Sequence, residues 1–113
     1  MGESGLITRA NLYATSVATA TDFLASDVAP THGRSTFRLT VQLATAAKLS
    51  IEVDDGTTQK SLGLSDDTDL TAGQVFTFVW GVDVGFTYNF RHDDAGAVVV
   101  DYFLLEEILG GEI

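Results

Sequence analysis

The 113 residues carry sixteen acids against six bases, a formal charge of −10, and contain no cysteine. One domain with its own core fits that length, and two do not. The charge repels phosphate backbones and anionic lipid surfaces, and the missing thiols exclude disulfides and thiolate metal centres, so direct nucleic-acid and membrane partners are not expected.

The opening MGESGLITRANLY lacks the apolar stretch of a signal peptide, which predicts synthesis in a cytoplasm, whatever the final destination. Residues 1–10 are polar, include Gly2 and Gly5 and show no period; they predict a flexible N-terminal arm ahead of a folded domain over residues 11–113. Extended stretches are expected over about 11–17 and 21–28, followed by a loop that holds Pro30 and ends near Gly33.

Residues 35–43 read STFRLTVQL, with Phe37, Leu39, Val41 and Leu43 on one face and Thr36, Arg38, Thr40 and Gln42 on the other. Such strict alternation is a strand with one dry side. A fourth strand is expected over about 48–53, and Asp54-Asp55-Gly56-Thr57 then supplies a hairpin turn into a fifth over about 58–64. The polar loop SDDTDLTAG precedes a sixth strand at about 74–82, and Asp83-Val84-Gly85 turns the chain into a seventh at 86–92. Asp93-Asp94-Ala95-Gly96 leads into a last, nearly continuous apolar strand at about 97–108. Regular turns and no convincing helix predict an all-β fold: a single antiparallel β-sandwich, jelly-roll-like, of about eight strands.

Candidate chemistry is sparse. The acidic loop Asp66-Asp67-Thr68-Asp69 is the best place for a hard cation, but an EF-hand would need glycine and glutamate where Thr71 and Thr77 stand, so it reads as a solvated turn. His32 and His92 read as exposed histidines of a loop and a strand end. Glu106 and Glu107 are adjacent, so a strand points them to opposite faces and they form no catalytic pair. No metal, no cofactor and no enzymatic activity are predicted.

Phe76, Phe78, Trp80, Phe86, Tyr88 and Phe90 alternate on two successive strands and read as the core of a hairpin. The other use of such aromatics is sugar stacking, in a carbohydrate-binding module. Too many apolar side chains crowd residues 98–109 for one strand face to absorb. Either this chain's own arm covers the excess or a partner does. The predicted protein interface comprises Leu6, Ile7, Leu12 and Tyr13 near the start, and Val99, Tyr102, Phe103, Leu105, Ile108 and Leu109 near the end. Those residues imply a homo-oligomer or docking on a larger assembly.

The segments FRLTVQLATAAKLSIEVDDGTTQKSLGL and LTAGQVFTFVWGVDVGFTYNFRH, with ATATDFLASDVAPTHG before them, resemble small β-sandwich virion proteins of tailed bacteriophages and archaeal tailed viruses. The likeness lies in a Thr/Val-rich strand leading to a DGT hairpin, then a Leu-Thr-Ala-Gly turn that opens an aromatic strand. It implies a structural role on the virion, first as a capsid decoration or cement protein bridging capsid subunits, otherwise as a neck or tail component. The implied partners are the major capsid protein or other virion proteins, and the implied location is the particle, after synthesis in the host cytoplasm.

Overall fold

The computed structural model of the chain describes residues 5–31, 34–65 and 68–109. Those described residues form seven strands and no helix: β1 (Leu6–Val17), β2 (Arg34–Leu43), β3 (Leu49–Asp54), β4 (Gln59–Gly63), β5 (Val75–Asp83), β6 (Thr87–His92) and β7 (Val98–Ile108). Alternation writes β2 as expected, with Phe37, Leu39, Val41 and Leu43 fully buried and the residues between them half-buried. The DGT turn closes the β3–β4 hairpin at the Asp54–Gln59 pair, with Gly56 at φ +94°. Asp55 locks it by accepting the Thr58 and Thr57 N–H groups, which hold its carboxyl below the usual carboxylate range.

The strands form two antiparallel sheets, ordered β1-β7-β2-β5 and β4-β3-β6. Their dry faces meet in one core, where Phe90 packs edge-on against Phe103 and Trp80 across the sandwich. Residues 21–28 are not a strand, which corrects the expected count to seven. They bridge to β6 through Val28–Tyr88 and through the Phe23 N–H donating to Phe90 O. With that segment counted as a second strand, the sheets read first-eighth-third-sixth and second-seventh-fourth-fifth. That is the jelly-roll order, with one strand reduced to bridges.

The reduction has a local cause. Phe23 and Leu24 are consecutive and both buried, whereas a strand would send one of them to solvent. The chain bends instead, and the buried Asn89 amide stands in for the ladder: Oδ1 accepts the Leu24 N–H and Nδ2 donates to Leu24 O.

Two further expectations change. Residues 6–10, assigned to a flexible arm, pair with β7 as the first half of β1; residues 1–4 of that arm lie outside the described residues. The bend at 83–86 makes no hairpin either, because β5 edges one sheet and β6 belongs to the other. Its aromatics divide accordingly: Tyr88 and Phe90 are core, Phe76, Phe78 and Trp80 are half-buried, and Phe86 is exposed.

Candidate functional site

The sandwich has two outer faces of opposite character. On the three-stranded sheet the outward residues are polar and bonded to one another. Glu52 accepts from Ser50 and Ser61, and Arg91 pairs with Asp22 at 2.8 Å. Asn89 and Thr87 both donate to Asp27. Polar side chains on this face are thus paired with one another.

The four-stranded sheet is different. Four register rows cross it: Tyr13–Tyr102–Gln42–Val75, Asn11–Leu104–Thr40–Thr77, Thr8–Glu106–Arg38–Val79 and Leu6–Ile108–Thr36–Gly81. Residues directly opposite share a face, and β2 fixes which one, since its Thr36, Arg38, Thr40 and Gln42 point away from the core. Among the described residues, six of the ten exposed large hydrophobics stand here: Leu6, Tyr13, Val75, Val79, Val99 and Tyr102. Tyr13 is 80% exposed and faces Tyr102, itself 37% exposed. Arg38 closes an ion pair with Glu106 at 2.8 Å in the third row.

The predicted interface residues divide on this geometry. Leu6, Tyr13, Val99, Tyr102 and Ile108 lie together on the outer face. Ile7 is exposed on the inward side of β1, and Leu12 packs against the core. Leu109 is half-buried, its N–H bonded to Gly5 O. Phe103 and Leu105, expected at the interface, are fully buried in the sandwich's own core. A bulge is the reason: Asp101 has no partner on β2, so Val100 and Phe103 both point inward and the parity of β7 reverses between them. Thr36, Thr40, Thr77, Val75, Val79 and the Arg38–Glu106 pair complete the face and were missed, although the parity of β2 and β5 carried the signal.

The remaining candidates are structural. His92 is buried, which corrects the exposed strand end expected of it; its Nε2 meets Val17 O at 2.8 Å and its Nδ1 accepts the Asp94 N–H at 3.1 Å. With one ring nitrogen donating and the other accepting, the ring ties β6 to β1 and the loop after it. Lys48, Ser50, Ser61, Ser65, His92 and Asp93 line a cavity of about 250 Å³, but Asp93 there accepts the Lys48 N–H and Ser65 the Leu49 N–H. His92 is likewise bonded to the backbone, and Ser50 and Ser61 donate to Glu52. His32, Asp66 and Asp67 lie outside the described residues; Asp69 is exposed, and no metal-binding group of three or more His, Cys, Asp or Glu occurs among the described residues.

Glu106 and Glu107 do split between faces. Glu107 has no exposure and accepts from Arg9, Ser35 Oγ, and the N–H and hydroxyl of Thr31. Burial alone would push its carboxyl up, yet the bonds from Ser35, Thr31 and Arg9 together hold it below the usual glutamate value. Between the open edges β4 and β5 runs an apolar trough of about 210 Å³, lined by Ile51, Val53, Leu62, Trp80, Phe86 and Tyr88. The Trp80 indole N–H is buried without a hydrogen-bond partner among the described residues.

No protein-family model matches the chain, and no curated protein matches it. Among solved structures, that of infectious bursal disease virus, Gx strain, aligns with 97% of this chain and 32% of its own, with a TM-score of 0.49 and 14% identity. A pentameric capsid protein isolated from metagenomic phage sequences aligns with 96% of this chain and 65% of its own, with a TM-score of 0.39 and 18% identity. The chain thus spans about a third of the first structure and under two thirds of the second. Likenesses this distant do not decide what the chain does.

Proposed function

We propose that this protein is a virion structural protein, a capsid decoration or cement protein that stabilises the shell by bridging capsid subunits. The observation that carries the reading is the contrast between the outer faces: one sheet pairs its polar side chains with one another, and the other displays tyrosine, valine and leucine in register and exposed among the described residues. An exposed apolar sheet face of that extent marks a surface meant for a protein. The jelly-roll order supports the reading because viral shells use it, although lectins and cupins use it too. The resemblance of residues 14–92 to small virion proteins turns that choice toward the particle.

The work of such a protein is adhesion. Burying apolar surface contributes roughly 25 cal/mol per Å² before the cost of ordering the partners. Many copies on a lattice turn modest contacts into firm attachment. The acidic remainder keeps free copies soluble and away from the packaged nucleic acid.

A glycan-binding role has less in its favour. Phe37 and Phe90 meet Trp80 edge-on at 5.9 and 6.0 Å, which builds the indole into the core and leaves it poorly placed to stack on a sugar. Titration with glycans, followed by Trp80 fluorescence, should therefore give no saturable change. The decisive measurement is quantitative mass spectrometry of particles purified from the virus that encodes the chain. Copies in proportion to the shell subunits support decoration, a small ring-like number moves the protein to the neck or tail, and absence sinks the reading.

A further inference from the structure

We propose that the outer face of the four-stranded sheet packs against the same face of a second copy of this chain. The inference rests on the reading of that face as an assembly surface and names its first occupant.

Charge selects the occupant. The outward residues include two arginines and two acids, opposed across strands as Arg38–Glu106 and Arg34–Asp83, so these rows sum to zero. Adding Asp101 at the bulge leaves this face, counted over the described residues, with at most one net negative charge against the ten of the whole chain. Two molecules of charge −10 repel through every surface that bears that charge, and here they can meet without opposing it. A basic partner would be drawn to the acidic remainder instead.

Extent and composition agree. Four strands about 4.8 Å apart, crossed by the register rows and extended along β1 and β7, make a face of roughly 600 Å². Two such faces bury about 1,200 Å² in total, the lower edge of what a specific interface needs. Tyr13 and Tyr102 sit side by side as large, stiff anchors of the kind that dominate interface energies. A twisted sheet packs readily on a copy of itself, and a two-fold axis presents each row to its counterpart.

The test uses the purified chain alone. Sedimentation velocity across the micromolar range should show a reversible dimer that tightens as salt rises from low to roughly 0.15 M, because the remaining charges are screened. Tyr13→Asp and Tyr102→Asp should each weaken dimerisation at least about tenfold while the strand signature and melting curve persist. Leu62→Asp, on the exposed edge strand of the other sheet, should leave it unchanged. A monomer at every concentration and salt would overturn the proposal, as would a dimer that survives both tyrosine substitutions. A monomer still found at high copy in particles would sink this pairing and leave the shell role standing; a dimer absent from particles would do the reverse.

Discussion

Glu107 is a carboxylate without contact with water at the seam of β1, β2 and β7, and four donors keep it there. Its pKa is lowered in the fold, because the bonds from Ser35, Thr31 and Arg9 outweigh the opposing effect of burial. A group depressed in the folded state contributes stability that is present above its unfolded pKa and lost as pH falls through the folded value. Glu107→Gln should therefore be less stable at neutral pH by about 3–5 kcal/mol, since the Arg9 guanidinium loses its counter-charge. Urea titrations at pH 7 and at about pH 3.5 should show that difference shrinking in acid, as the same carboxyl in the unfolded wild-type chain takes up a proton. A difference that stays constant would mean that the site works through shape and hydrogen bonds alone.

Among the elements, β1 departs most from its expected form. Its first half reads Leu-Ile-Thr-Arg-Ala, and a register shift between Thr8 and Ala10 breaks the alternation that would have marked a strand. Removing residues 1–10 therefore takes away the pairing opposite Leu105–Ile108 and the cation that balances Glu107. A chain beginning at residue 11 should lose roughly 3–5 kcal/mol, and Arg9→Met should reproduce much of that loss. Urea melts of both would check it; unchanged stability would restore the flexible-arm picture. The other elements were legible in proportion to how local their causes are. β2 and the β3–β4 hairpin follow from period-two alternation and an Asp-Gly turn, which need no partner to be read. The bend at Phe23-Leu24 depends on Asn89, sixty-five residues away from Leu24, and the sheet that β5 or β6 joins is not encoded in parity at all. The assembly face was half legible for the same reason: Tyr13 and Tyr102 show by parity, whereas the Asp101 bulge that turns Phe103 and Leu105 inward is set by pairing with β2.

At the scale of the whole molecule, the net charge of −10 opposes the compact state, because folding gathers like charges that an open chain spreads out. The ion pairs Arg38–Glu106, with its arginine in reach of water, and Arg91–Asp22, with both members in reach of it, work the other way, but pairs so open to solvent contribute only about 0–1 kcal/mol each. Salt screens both, over a distance of about 8 Å at physiological ionic strength. Repulsion among many acids reaches further than two contact pairs, so its loss should dominate. The melting temperature should rise by a few degrees between low salt and roughly 0.15 M, measured on Tyr102→Asp at low concentration so that association adds nothing. Glu107 and Arg9 meet away from bulk ions, so adding Glu107→Gln should lower the curve without changing its slope against salt. A melting temperature that falls with salt would show that the few surface pairs outweigh the repulsion.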